Sequence, residues 1–487
     1  MIDLTKNNKI IERSVKRLQQ HKISLPTFAQ MRDPSRIPKN IKDRLASTGL
    51  WDIDPINLYR INWHNQPVEK GGGYGRVNYL EIPTQLTGVR ARVVGLVGKW
   101  FPTGSHKVGA TYACLVPRLA TGQFDPTTQK AVWPSTGNYC RGGAFNAALL
   151  SCESIAILPE EMSCERFEWL KKVAGEVIAT PGSESNVKEI YDKCDELKAT
   201  RDNISIFNQF DEFGNYLWHY HVTGPAMEEV ARMVMKGTDR VAGVVSSTGS
   251  AGTIASGDYI KDTFPQAKIV AAEALQCPTL LYNGFGSHRI EGIGDKHIPW
   301  IHNVRNLDFV AAVDDNGPMN LLRLFNEPLG RKYMAEQGIA SEIIDALPLL
   351  GISSLGNLIA SIKFAKYNEL TEKDVVLTVF TDSMDMYGSR LAHVNETKGP
   401  YNTKDAYKDH NRYLLAQQID NIEELSYYTR KRIHNLKYYT WIEQQGRSVG
   451  ELDAQWYDSP EYWENIQNQV DEIDKVIEEM NQAIGQV

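Results

Sequence analysis

Thr248-Gly249-Ser250-Ala251-Gly252-Thr253 stands between an apolar run, Val241-Ala242-Gly243-Val244-Val245, and a stretch with helical spacing. A strand, a turn of small residues and a helix in that order form half of a βα unit. Two more loops share the setting: Pro102-Thr103-Gly104-Ser105-His106-Lys107 and Ser135-Thr136-Gly137-Asn138 each follow an apolar run and precede an Ala/Gly-rich helical pattern. In open parallel sheets the ligand crevice lies at the carboxyl ends of the strands. The three loops are therefore expected at equivalent strand ends of one α/β body.

From about residue 90 to 390 the chain alternates in the same way. Residues 93–97, 155–158, 177–179, 241–245, 269–272 and 375–380 are short, nearly continuous apolar runs, the pattern of strands covered on both faces. Helical stretches at 165–173, 187–197, 225–235 and 358–367 supply crossovers. Two doubly wound, mostly parallel halves are expected. Residues 1–75 are richer in Asn, Arg, Pro and Trp and read as an N-terminal arm, with Lys70-Gly71-Gly72-Gly73-Tyr74-Gly75 as a flexible junction. The body then spans 76–395, its smaller subdomain at about 120–215. Residues 396–487 read as a charged, helical extension whose many aromatics, Tyr427, Tyr428, Tyr438, Tyr439, Trp441, Trp456 and Trp463 among them, call for docking on the body or on a second subunit.

The 487 residues are 42% hydrophobic and 23% charged, enough for a large core in two or more domains. A formal net charge of -7 gives no electrostatic case for nucleic acid or an anionic membrane. The first residues lack the apolar core of a signal peptide, and no apolar stretch is long enough to span a bilayer, so a cytoplasmic location is expected. Six scattered cysteines without metal-ligand spacing point to a reducing compartment and no structural metal. Cys140, at a helix start, reads either as an activated thiolate or as a small buried residue.

Each loop has a chemical reading and a bland one. Lys107, just inside a helix expected to begin near Ser105, suits a Schiff-base lysine, because burial and positive partial charge would release its proton. A lysine in a first helical turn is more often a solvated surface group. The 248–253 loop can wrap a phosphate with backbone N–H groups as it opens a helix, though such residues also serve plain tight turns. It lacks the nucleotide P-loop ending and the dinucleotide spacing, so a monophosphate is the better guest. Ser135, Thr136 and Asn138 can hold a carboxylate or a phenolic oxygen, or simply cap a helix. A reactive lysine, an oxygen-binding turn and a phosphate cradle are together what pyridoxal phosphate needs.

The chain also resembles the pyridoxal-phosphate enzymes of the tryptophan-synthase-β fold (fold type II), nearest the cysteine synthase and cystathionine β-synthase branch. The likeness runs from about Ile82 to Leu391. It rests on Ile82-Pro83-Thr84-Gln85-Leu86, the lysine loop, Glu161-Met162-Ser163-Cys164-Glu165-Arg166, Asn208-Gln209-Phe210, Thr223-Gly224-Pro225, Glu291-Gly292-Ile293-Gly294 and Gly351-Ile352-Ser353-Ser354. The resemblance implies that Lys107 holds the cofactor as an internal aldimine and acts as general base. It implies that Asn138 bonds the ring oxygen, that Gly249, Ser250, Ala251, Gly252 and Thr253 cradle the phosphate, and that Ser383 faces the ring nitrogen. Ser135, Thr136 and Gln209 would take the substrate carboxylate.

The implied activity is β-replacement or β-elimination on serine, cysteine or an O-activated serine through an aminoacrylate, with a thiol or sulfide as co-substrate. The implied assembly is a homodimer. A threonine or serine ammonia-lyase, or a non-catalytic or partner-dependent subunit, shares the scaffold. Departures from the branch are the Phe101-Pro102 opening of the lysine loop, its His106-Lys107 pair and Tyr139 after Asn138. His106 reads as an aid to proton transfer or phosphate binding, or as a structural histidine.

Overall fold

The computed structural model describes residues 1–67, 72–135 and 137–485. Its strands, in chain order, are β1 (Tyr79–Ile82), β2 (Arg92–Val97), β3 (Lys130–Pro134), β4 (Glu153–Pro159), β5 (Glu176–Thr180), β6 (Ile204–Ile206), β7 (Arg240–Ser247), β8 (Lys268–Ala274), β9 (Phe309–Val313), β10 (Asp374–Phe380) and β11 (Ile422–Glu424). They form a seven-stranded sheet, β1-β2-β10-β7-β8-β9-β11, and a four-stranded sheet, β5-β4-β3-β6. The small sheet is parallel throughout, and the large one is parallel except at its edges, where β1 and β11 run antiparallel to β2 and β9.

All six apolar runs expected to be strands are strands, and the α/β fold with two mostly parallel sheets is present. At the centre, Val376 of β10 lies opposite Val93 of β2 and Gly243 of β7. Every residue of β10 is buried. The helix Ile352–Tyr367 packs on this sheet and buries all but its last two residues, which explains its apolar character all round. The helices expected at 165–173, 187–197, 225–235 and 358–367 are found as Cys164–Val173, Val187–Thr200, Gly224–Val234 and Ile352–Tyr367.

The ends of the chain are joined. The last helix, Val470–Ile484, places Asp474 so that it accepts the backbone N–H groups of Phe28 (2.7 Å) and Ala29 (3.0 Å), and Asn481 exchanges two hydrogen bonds with Leu25. The extension is not wholly helical: β11 adds an edge strand to the large sheet. Its aromatics divide by type. Trp441, Trp456 and Trp463 are buried, whereas Tyr427, Tyr428, Tyr438 and Tyr439 are exposed. A tryptophan loses more apolar surface to water than a tyrosine and has one polar atom to satisfy, and the Trp441 indole donates to the Ile298 carbonyl (2.8 Å).

Of the expected flexible junction, Lys70 and Gly71 lie outside the described residues. Residues 72–75 are not free: Gln66 N–H donates to Gly73 (2.9 Å), Gly75 N–H to His64 (2.8 Å), and the Tyr74 hydroxyl to the Tyr59 carbonyl (2.8 Å).

Candidate active site

The three loops come together, but from two sheets rather than from equivalent ends of one. The lysine loop leaves β2 and the 248–253 loop leaves β7 in the large sheet, whereas the 135–138 loop leaves β3 in the small one. The site therefore lies between the sheets, at strand carboxyl ends on both sides.

The lysine helix starts later than its sequence reads, at Lys107 itself (Lys107–Thr121). Thr103 (φ 68°) and Gly104 (φ 67°) take left-handed conformations in succession, which turns the chain sharply enough to aim Lys107 back at the sheet ends. Ala251 in the 248–253 loop is left-handed as well (φ 58°). Two non-glycine residues in this sparsely populated region, both in loops that meet at Lys107, mark the site as a place where strain is held by its surroundings.

The half-buried Lys107 is crowded by protein, and that desolvation lowers its pKa to about 8. Among the described residues its Nζ has a single long contact, 3.3 Å to the Ser250 hydroxyl. From Ser250 the path continues. Asn215 Nδ2 donates to Ser250 (3.0 Å) and to the Gln209 carbonyl (3.0 Å), and Gln209 Nε2 donates to the Ser135 hydroxyl (3.4 Å). Lysine, small-residue loop and hydroxyl turn are thus one connected polar system. Asn215 is a member that the sequence reading missed; it sits on a short apolar helix (Phe213–Trp218) without motif character.

The helix after the 248–253 loop begins at Ala255, so the loop forms its own turns before the helix rather than the helix start. Gly249 faces open space, for a Cβ there would meet nothing nearer than 3.8 Å, while Gly252 is pressed on the Asn215 side chain. His106 lies behind the loop, its Nε2 3.1 Å from the Thr253 hydroxyl and its ring stacked on Trp63. Burial holds it neutral, well below the ordinary histidine range.

Asn138 and Ser383 approach from the small sheet and from the end of β10. Asn138 begins the helix Asn138–Leu149; its Nδ2 donates to Asp382 (2.7 Å) and its Oδ1 is buried without a partner among the described residues. Ser383 is buried beside Asp382. Thr136, expected to hold a carboxylate, lies outside the described residues. Cys140 is a buried thiol pushed up to about 12 by desolvation, so the bland reading of that residue holds.

Beneath these groups runs a charged network that the sequence did not disclose. Arg166, fully buried, pairs with Glu291, donates to the Tyr387 hydroxyl (3.0 Å) and lies 3.8 Å from Asp382; Arg390 pairs with the other side of Glu291. Tyr387 in turn donates to Asp382 (2.8 Å). Gly137 is required above it, having φ 155° and room for a Cβ only 2.9 Å from the Arg166 guanidinium. Arg166 and Glu291 both stand in the motif stretches quoted above, but 125 residues separate them and nothing local pairs them.

Fold and site together define a two-sheet α/β protein with a desolvated lysine set among strand carboxyl ends. The profile of the family described as pyridoxal-phosphate dependent enzyme matches residues 100–327. A probable cysteine synthase from Bacillus subtilis is 30% identical over 287 residues, 59% of this chain and 85% of that protein. Cystathionine beta-synthase from Saccharomyces cerevisiae is 25% identical over 318 residues, 63% of this chain and 59% of the yeast protein. The crystal structure of cysteine synthase from Entamoeba histolytica has the same fold, with a TM-score of 0.56 at 19% identity, covering 69% of this chain and 94% of that one. The chain belongs to the pyridoxal-phosphate-dependent enzymes, and pyridoxal phosphate is its cofactor. The residues fit that group: among the described residues the lysine amine has one weak contact, the buried amide oxygen of Asn138 has no partner and Gly249 presents an open face, so polar and steric capacity is left unmet on each of the elements that meet here.

Proposed function

We propose that the protein acts at the β-carbon of a small L-amino acid, serine, cysteine or an O-activated serine, by replacement with a thiol or sulfide or by elimination. The observation that carries this reading is the continuous path from Lys107 through Ser250 and Asn215 to Gln209 and Ser135. It joins an amine, a phosphate-sized loop and a hydroxyl-amide pair suited to a carboxylate. The names of the relatives, cysteine synthase and cystathionine beta-synthase, support the same chemistry.

In this reading Lys107 holds the cofactor, residues 249–253 its phosphate, Asn138 its ring oxygen and Ser383 its ring nitrogen. When bound, pyridoxal phosphate supplies an electron sink for the bond broken at the α-carbon. The chain supplies orientation and proton handling. Lys107, poised near pH 8, takes a proton from a carbon held beside its Nζ. Ser135, Gln209 and Thr136 fix the substrate carboxylate, which aims that carbon. Ser383 offers an uncharged hydroxyl, and one oxygen of Asp382 is committed to Asn138 and Tyr387 while the other lies against Gly351. In this reading a hydroxyl rather than a carboxylate stands at the ring nitrogen, which favours prompt loss of a β-substituent over long-lived carbanions.

The unit that does this is residues 76–395, with 1–75 as an arm and 396–487 as an extension. We place the enzyme in the cytoplasm as a homodimer; six unpaired cysteines, five of them buried, and the exposed tyrosines of the extension support that placement. The test is product analysis of the pyridoxal-phosphate-loaded protein with serine, cysteine, O-acetylserine and threonine, each with and without sulfide. A new β-substituted amino acid, or pyruvate from a three-carbon donor, is expected. Turnover of threonine alone would contradict the reading and make the protein an ammonia-lyase.

A further inference from the structure

Arg141 has no use in the chemistry above and, among the described residues, no ion-pair partner. It stands one turn after Asn138 in the helix Asn138–Leu149, so the two side chains share a face, and both lean toward the helix N-terminus and the site. Arg141 is 1% exposed. Its Nη1 donates to the Met386 sulfur (3.2 Å), a weak acceptor in the turn that follows Ser383, and its Nε is buried without an acceptor. Among the described residues no carboxylate lies within ion-pair distance of it: of the buried carboxylates in its surroundings, Asp382 attracts it only at longer range and is bound by Asn138 and Tyr387, Glu291 pairs with Arg166 and Arg390, and Glu184 acts on the neighbouring Cys140 and Arg166. Two indoles cover the guanidinium, Trp169 at 4.7 Å and Trp51 at 5.8 Å. Trp51 also reaches the lysine loop, where a Cβ on Gly104 would lie 3.0 Å from its ring, and it is 44% exposed. Arg141 therefore sits between the lysine loop, the Asn138 helix and the turn after Ser383, behind a wall that opens on solvent.

Rings do not replace the hydration of a buried cation, so a guanidinium in this position calls for an anion from outside the chain. We propose that Arg141 binds an oxyanion, a carboxylate or a phosphate, carried by the group that leaves or enters at the β-carbon. The proposal rests on the β-carbon reading above. The planar N–H fork matches both anions. The α-carboxylate is already provided for at Ser135 and Gln209. Arg141 lies one turn beyond, about 4.5 Å along the helix axis, a displacement on the scale of that from an amino acid's carboxylate to the end of its β-substituent.

The test uses protein saturated with pyridoxal phosphate, whose phosphate loop is then filled, so that calorimetric titration with inorganic phosphate reports on a second anion site. Arg141→Met is expected to weaken that binding by roughly 10- to 100-fold. The source of the anion is read from two ratios of kcat/KM: O-phosphoserine against O-acetylserine with sulfide, and mercaptopropionate against sulfide with O-acetylserine. A selective fall in the first ratio supports an anionic leaving group, and in the second an anionic nucleophile. Equal losses with every pair, or unchanged phosphate binding, would overturn the proposal. Should Arg141→Met fail to fold, Arg141→Lys keeps the charge without the fork and is expected to show a smaller selective loss. A wild-type protein that turns over none of these pairs would sink the β-carbon reading, and the phosphate titration would still judge Arg141.

Discussion

Lys107 and Lys437 are both amines enclosed by protein, and desolvation pulls both below the ordinary lysine range. Their surroundings differ. Lys437, in the extension, donates to the Trp300 carbonyl (3.0 Å), the His302 carbonyl (2.8 Å) and Gln455 Oε1 (2.7 Å), which uses all three of its donors. Among the described residues the Lys107 amine has one contact, at 3.3 Å. A displaced pKa is common to both and so does not separate a working lysine from a structural one. Unfilled hydrogen-bonding capacity does, and Arg141 shares it: among the described residues its guanidinium donates only to a thioether, whereas Arg166 pairs with Glu291 and Tyr387 and leaves only its Nε without an acceptor.

The contrast can be broken most sharply by exchanging the two losses. Lys107→Ala is expected to lower turnover by roughly a thousandfold or more, whereas Lys437→Met leaves turnover per folded molecule within a fewfold; steady-state kinetics on both decide it. Equal effects would erase the distinction. Next in size is stability. Lys437→Met removes three buried hydrogen bonds and strands Gln455 Oε1, the Trp300 and His302 carbonyls keeping the Gln455 amide and the Val304 N–H, and is expected to cost about 1–3 kcal/mol in urea unfolding, while the cofactor-free Lys107→Ala protein is expected to be no less stable than wild type at neutral pH, because the substitution removes a desolvated charge. A loss below 1 kcal/mol for Lys437→Met would show that its contacts are incidental.

The smallest effect is in pH. With its pKa lowered to about 8, Lys107 is neutral in roughly one-tenth of molecules at pH 7 and nine-tenths at pH 9, so the rate of cofactor capture should rise through pH 8 and then level off. The sign for stability is opposite to that of a salt-bridged lysine. The charged amine disfavours the folded cofactor-free chain below pH 8, and this penalty fades as pH rises toward 10.5. The stability gap between Lys107→Ala and wild type should narrow over that interval.

Much of this was legible in the sequence because it is local. Runs such as 241–245 and 375–380 are buried on both faces and show it in every residue. Most of the strands that escape notice lack that uniformity: β1 and β11 are edge strands with polar residues, β6 has three half-buried residues, and β3 carries Trp133 and Pro134 with a single β-branched residue, whereas β9 was missed although all five of its residues are apolar and buried. The loops announced Lys107 and the 248–253 turn, since glycine, hydroxyl and lysine in fixed order are readable without tertiary structure. What stayed hidden depends on distance. Arg166 and Glu291, Asn138 and Asp382, and Asn215 and Ser250 meet only when two sheets are assembled. The lone state of Arg141 is likewise a fact about what other residues are doing.

The central claim, that Lys107 is the amine that takes the cofactor, is tested most directly by borohydride reduction of the pyridoxal-phosphate-loaded protein followed by peptide mass mapping. The account expects the reduced phosphopyridoxyl group on Lys107 and none on Lys437. Its absence from Lys107, or its appearance on another lysine, would contradict the account.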